Sequence, residues 1–181
     1  MSWRPSGGKL AADETFQTGG EPPGRYFINA PYVAGWRLES VSRGGRVIGD
    51  DVIELEAADV SGFVLTMSNK VSKVSGLVAD AKGAADIATD VIVFPADTAL
   101  WREGIFSERR VRLVHATSAA AFEIADLAPG EYYIVAIRAR PITGWEDLSF
   151  LDQLVAGATK FTLGESAEHT VQLKTFTPRG R

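Results

Sequence analysis

The sequence contains no cysteine, which excludes disulfide bridges and thiolate metal sites. Histidine is almost as scarce, with two residues in 181, and neither has a second histidine at the spacing that a metal site needs. No apolar run approaches the roughly 18 residues that a membrane-spanning helix requires. We therefore expect no metal, no cofactor and no membrane insertion.

Several chemical signatures are also missing. The formal net charge is −4, and an acidic domain does not attract nucleic acid or an anionic membrane surface. No Gly-x-Ser-x-Gly elbow, phosphate-binding glycine loop or EF-hand spacing occurs. Asp50-Asp51 and the pair Asp86 and Asp90 could supply calcium ligands, but solvated turn carboxylates are the favoured interpretation. The sequence predicts a protein that is not an enzyme.

What the sequence does contain is a set of short β-prone segments between turn residues. The central one runs over 127–137, where Pro129-Gly130 leads into a stretch that is apolar on both alternating faces. A tyrosine after such a turn suits the corner of a Greek-key sandwich, where its hydroxyl bonds to nearby backbone. The other predicted strands are 25–28, 36–41, 46–48, 52–56, 63–67, 74–78, 91–94, 110–114, 122–124, 160–163 and 170–173.

Two connections have their own signals. Gly44-Gly45 predicts a hairpin turn, and the last two strands are predicted to pair as a hairpin around Gly164-Glu165. Apolar residues at helical spacing over 146–155 predict a short amphipathic helix. The fold class that follows is all-β, an antiparallel Greek-key sandwich of the immunoglobulin-like or transthyretin-like kind, with one short helix in a connection.

The chain also matches itself. One set of residues, Phe16, Pro23, Gly24, Tyr26 and Ile28, lies 106 residues before Phe122, Pro129, Gly130, Tyr132 and Ile134. The match continues with Trp36 against Trp145, and with 53–67 against 161–174. We interpret this as an internal repeat whose first copy is truncated, since nothing before it corresponds to 74–114.

This repeat predicts the domain organisation. Residues 1–23 form an irregular arm with at most a short strand near Phe16, 24–70 the later half of a sandwich, 71–175 a complete sandwich, and 176–181 a tail. A half sandwich leaves open edges and an apolar face. The second domain, another chain or a segment outside this sequence could cover them.

The ordered segments Val74-Ser75-Gly76-Leu77-Val78, Val91-Ile92-Val93-Phe94-Pro95 and Phe122 to Tyr132 resemble the carboxypeptidase regulatory-like domain family. Later residues around Trp145 and Leu163 look like the long-loop version found in tandem arrays of exported bacterial proteins. The resemblance implies a transthyretin-like, carbohydrate-binding-like sandwich that serves as an accessory module and has no catalytic residues. The turn after Asp80 departs from the family pattern.

Candidate binding residues are few. Trp101 and Arg102 lie in a predicted loop, and Arg110 and Arg112 share one face of a strand. Aromatic rings stack on sugars and anchor interfaces, while the arginines could bind an acidic partner or simply form a charged outer face. For Trp101, core packing is an equal alternative.

A structural role is predicted for Tyr26, Tyr132, Pro129 and Gly130, and core packing for Trp36 and Trp145.

The functional hypothesis is a non-catalytic module for binding or spacing, with a carbohydrate or protein partner. The N-terminus has no signal peptide, so either the protein stays inside the cell or, as we expect, it is exported as part of a longer chain to the cell surface or the periplasm. One alternative is a self-associating domain, such as a homodimer, that a partner chain completes. A hydrolase with an unrecognised site would need His115 or His169 in a pocket beside an acid.

Overall fold

The structure is a computed structural model that describes residues 8–28, 30, 33–49, 52–101, 109–138 and 148–178. It divides into two compact units, an N-terminal unit within 1–32 and 38–67 and a C-terminal unit within 33–37 and 68–181. None of the helices in these ranges is both long and apolar enough to span a membrane.

The N-terminal unit consists of small sheets. Its strands are β1 (Lys9–Leu10), β2 (Phe16–Gln17), β3 (Gly24–Phe27), β4 (Arg37–Arg43), β5 (Arg46–Gly49), β6 (Val52–Leu55) and β7 (Phe63–Ser68). β1 pairs with β2, β3 pairs with β6, and β4 lies between β5 and β7. The predicted hairpin at Gly44-Gly45 is confirmed, because β4 and β5 are antiparallel and Arg43 lies opposite Arg46.

The C-terminal unit is a two-layered sandwich. Its elements are β8 (Lys73–Ala79), β9 (Thr89–Pro95), a 3₁₀ turn (Thr98–Leu100), β10 (Arg112–His115), β11 (Ala121–Ala125), β12 (Gly130–Arg138), α1 (Leu148–Val155), β13 (Thr159–Leu163) and β14 (Glu168–Phe176). One layer has the order β11-β8-β14, and the other contains β10-β9-β12 with β13 beside β12. The layers meet where the end of β14 pairs with β12.

β12 is the central strand of this unit, and both of its faces are buried. Tyr132, Ile134 and Ala136 contribute to a core cluster that also includes residues of β8 and β11. Val135 and Ile137 contribute to a second cluster with two leucines of α1. The strand that the Pro-Gly turn introduces is therefore covered on both sides, which confirms the prediction from its two apolar faces.

The predicted fold class is confirmed: the described chain is mostly β, forms a sandwich and carries one short helix inside the predicted 146–155 range.

The pairing of the last two strands differs from the predicted hairpin. β13 pairs with β12, whereas β14 lies parallel to β8 over seven residue pairs, so the sheet is mixed and the antiparallel arrangement predicted for the whole sandwich is wrong for β14. Alternating apolar residues identify a strand but do not identify its neighbour.

Candidate functional site

Trp101 follows the short 3₁₀ turn, which begins where the Asp97 side chain accepts a hydrogen bond from the Ala99 N–H at 2.9 Å. The indole is 4% exposed, its Nε1 donates to the Pro95 carbonyl at 2.7 Å, and its ring meets Phe94 edge-on. In this arrangement the ring packs the core and presents no face on which a sugar could stack. Arg102, predicted beside it, lies outside the described residues.

The two other predicted binding residues lie near the Pro129-Gly130 turn and on an outer strand. A Cβ placed at Gly130 would be 3.5 Å from Nη1 of Arg110, so this guanidinium lies against the turn. Arg112 begins β10, the outer strand of its layer, opposite Val93 of β9. The shared strand face predicted for the two arginines is not found, because Arg110 lies in the turn before β10 and Arg112 is the first residue of the strand.

Tyr132 anchors that turn. The residue is fully buried, and its hydroxyl donates to the Ala128 carbonyl at 2.6 Å. Its ring stacks on Phe161 of β13, and Phe161 stacks in turn on His169 of β14 with ring centroids 4.7 Å apart. This contact gives His169 a packing role in the sandwich.

Tyr26 makes the same local interaction in the N-terminal unit. Its hydroxyl donates to the Pro22 carbonyl at 2.7 Å, again four residues upstream. The glycine two residues before each tyrosine has φ of 157°. Tyr26 lies opposite Ile53 of β6, as Tyr132 lies opposite Phe161 of β13.

Other residues of the predicted match are placed differently. Phe16 is 37% exposed on β2, whereas Phe122 is buried on β11. Trp36 is 48% exposed and bridges to Val33, so the core packing predicted for it is not found. Trp145 lies outside the described residues.

A polar cluster lies where several strands of the sandwich end. The Asp86 side chain is 7% exposed; its Oδ2 accepts from the Thr175 hydroxyl at 2.8 Å and lies 3.4 Å from Nη2 of Arg138. The Thr175 hydroxyl, helped by the Ala88 N–H and Arg138, holds the pKa of Asp86 below its usual range. Asp86 therefore ties the end of β14 to the segment before β9.

His115 and Asp90 form a second polar pair nearby. Nδ1 of the imidazole lies 2.8 Å from Oδ1 of Asp90, and the side chains are 61% and 12% exposed. In covalent hydrolysis, an acid–histidine pair activates a serine, threonine or cysteine that lies at the other ring nitrogen. Within the described ranges Asp90 is the one hydrogen-bond partner of His115.

The possible calcium ligands do not come together. Asp50 and Asp51 lie outside the described residues, while Asp86 and Asp90 are engaged by Thr175, Arg138 and His115. In the part of the chain that the structure describes, no group of three or more His, Asp or Glu side chains could hold a metal ion.

Sequence reasoning missed Ser72, which is buried and donates to the Leu127 carbonyl at 2.6 Å. It also missed the partners of Asp86. Both interactions join residues at least 50 positions apart, Ser72 to Leu127 and Asp86 to Thr175, so no local pattern signals them.

No family model matches the chain, and no curated protein matches it. Among solved structures it is similar to a Pseudomonas aeruginosa protein for which carbohydrate binding has been suggested, at 14% identity and a TM-score of 0.33, over 58% of this chain and 88% of that one. It is also similar to a streptococcal ancillary pilin, at 13% identity and a TM-score of 0.37, over 89% of this chain and 47% of that one. A minor pilin of Streptococcus agalactiae matches at 11% identity and a TM-score of 0.35, over 72% of this chain and 60% of that one.

The chain spans less than two thirds of the length of either pilin. Similarity at this level carries no functional information, so function is inferred from the residues themselves.

Proposed function

We propose that this chain is a non-catalytic accessory module that binds or spaces other parts of a longer exported protein. The observation that carries the proposal is that the fold itself uses the side chains that could do chemistry. Trp101 and Tyr132 are buried and hydrogen-bonded, His169 is stacked, and Asp86 is bonded to a neighbouring strand. The resemblance to carboxypeptidase regulatory-like domains supports the same role and supports export.

A protein partner fits this arrangement better than a carbohydrate. Carbohydrate recognition commonly uses an exposed aromatic face, and the indole of Trp101 is buried. Arg110 beside the Pro129-Gly130 turn and Arg112 on the outer strand β10 are both partly exposed and supply positive charge on this side of the unit. Charged residues at the rim of an interface steer association with an acidic partner.

We further propose that the N-terminal unit is the later half of the same sandwich, as the internal match predicts. The shared tyrosine bond, the shared glycine geometry and the identical pairing of Tyr26 with Ile53 and of Tyr132 with Phe161 support this. The exposed position of Phe16 limits the match to the region after Pro22.

The proposed function is tested by titrating the intact chain with neutral and acidic oligosaccharides, followed by tryptophan fluorescence and calorimetry. We expect no saturable change. Saturable binding that Arg110→Ala abolishes would replace the protein-partner proposal with a carbohydrate one. Hydrolysis of ester or glycoside substrates that is lost in both His115→Ala and Asp90→Asn would overturn the non-catalytic role.

A second candidate is self-association through the N-terminal unit. Among the described residues, this unit buries two apolar side chains, Leu38 and Val41, and exposes others such as Val47 and Val64. Exposed apolar side chains of this kind favour association with another chain. Light scattering across a wide concentration range checks it, and a mass that stays monomeric would remove it.

A further inference from the structure

The strand β7 (Phe63–Ser68) is the outer strand of its sheet, with β4 as its hydrogen-bonded neighbour on one side in the order β5-β4-β7. An outer strand presents a row of backbone N–H and C=O groups that another extended segment can pair with. Among the residues that the structure describes, no strand pairs with the other side of β7, which we call the acceptor edge. We have proposed that the two units share one fold. On that basis, the partner of the corresponding strand in the C-terminal unit indicates which kind of segment binds at the acceptor edge.

The correspondence between β7 and β14 rests on the strands that pair with the two tyrosines, which lie 108 residues apart, two more than the tyrosines themselves. Phe161, the partner of Tyr132, lies 108 residues after Ile53, the partner of Tyr26. At the same offset the burial pattern of the two strands agrees. Phe63, Leu65 and Met67 are less exposed than Val64 and Thr66, as Val171, Leu173 and Thr175 are less exposed than Gln172 and Lys174.

In the C-terminal unit, the main partner of β14 is β8. The two strands are parallel and pair over seven residues, from Lys73 with Glu168 to Ala79 with Lys174. The approach is close at Gly76, where an added Cβ would meet the Val171 carbonyl oxygen. Among the described residues of the N-terminal unit, no strand before Tyr26 corresponds to β8.

We propose that the acceptor edge of β7 binds an extended protein segment of the β8 type, added parallel to β7. Its chemistry is that of Val74-Ser75-Gly76-Leu77-Val78: β-branched or aliphatic residues around a small central residue, with little charge. The partner supplies main-chain hydrogen bonds to β7 and covers the apolar side chains of the half sandwich. This inference rests on the proposed repeat and goes beyond the general binding role.

The hydrogen-bonding direction of β8 gives a sharp test. The Lys73 N–H donates to the Ala167 carbonyl, on the β14 side, whereas the Val78 N–H donates to the Ala120 carbonyl, on the β11 side. Because N–H groups alternate in direction along a strand, those of Ser75 and Leu77 also face β14, and that of Gly76 faces β11. Methylation of selected backbone nitrogens therefore blocks one edge of the peptide and leaves the other intact.

The experiment uses a fluorescent peptide of residues 71–81 and the intact chain. We expect saturable binding by anisotropy, with slower amide exchange over residues 63–68. A peptide N-methylated at Ser75 and Leu77 should lose affinity by at least about tenfold. Its matched control, N-methylated at Gly76 and Val78, should bind within about twofold of the unmodified peptide.

Four results would overturn the proposal. They are absence of binding, equal affinity of the two methylated peptides, exchange protection over 168–176 instead of 63–68, and protection of 63–68 that rises with protein concentration without peptide. The third result means that the peptide displaces β8 of the sandwich, and the fourth that a second copy already fills the edge. Absence of binding would leave the spacer role untouched, so the two proposals fail separately.

Discussion

The Tyr132 hydroxyl is a buried donor with a buried acceptor, the Ala128 carbonyl. Tyr132→Phe removes the donor and leaves that carbonyl without it in the core, which costs about 1–3 kcal/mol of unfolding free energy. The Tyr26 bond to Pro22 is exposed, and water can replace it, so Tyr26→Phe should cost less than about 1 kcal/mol. Urea unfolding monitored by fluorescence measures both. Equal losses of unfolding free energy in the two variants would show that burial does not determine the contribution of these tyrosine hydrogen bonds.

Asp86 gives a prediction about acid stability. Its pKa is lowered in the folded protein, chiefly by the Thr175 hydroxyl, so folding favours the ionised carboxylate. That stabilisation is complete above the ordinary aspartate pKa, about 3.9, and is lost as the pH falls through the lower folded pKa. Asp86→Asn should lower the melting temperature at pH 7 and flatten its dependence on pH below about 4.

Asp13→Asn is the matched control for Asp86→Asn. The Thr15 hydroxyl also lowers the pKa of Asp13, but this carboxylate is exposed in the turn between β1 and β2. Solvent screening makes exposed interactions weak, so we expect nearly unchanged melting at every pH. If both variants gave the same acid profile, the Asp86 network would have no special role in stability.

At the scale of elements, the pairing of β8 with β14 depends on the absence of a side chain at Gly76. A Cβ there would lie against the Val171 carbonyl oxygen and 3.0 Å from Cε1 of Phe122. Gly76→Ala should therefore separate the two strands and cost about 1–3 kcal/mol or more. Gly164→Ala, whose new methyl group would have ordinary contacts, should change stability by less than about 0.5 kcal/mol. The denaturant midpoints of the two variants, compared with that of the unmodified protein, measure this difference in stability.

Local patterns predicted the elements well because they depend on neighbouring residues. The two apolar faces of 132–137 identified a buried strand, and the spacing over 146–155 identified α1. The partners of β14 could not be predicted, since the parallel pairing with β8 joins residues almost 100 positions apart. The sequence did not predict the burial of Trp101 either, because its hydrogen bond to Pro95 depends on the conformation of the 3₁₀ turn between them.

At the scale of the molecule, the two units differ in how much apolar surface they bury. Leu38 and Val41 are the buried apolar residues of the N-terminal unit, and all the others in the described ranges belong to the C-terminal unit. Because buried apolar area is the main source of stability, local opening should be easier in the N-terminal unit. Amide exchange over 37–68 should be faster than exchange over 89–95 and 130–138.

Val41→Ala provides the test of that difference between the units. Removing two methyl groups from a fully buried side chain should speed exchange over 37–68 and leave β9 and β12 unchanged. Val135→Ala, at an equally buried position of β12, should instead speed exchange in the C-terminal unit. If either substitution speeds exchange in both units alike, the chain opens as one cooperative body and the half sandwich proposed for the N-terminal unit needs no partner to complete it. If each substitution affects only its own unit, the N-terminal unit is the less stable one, and a β-strand bound at β7 should raise its stability.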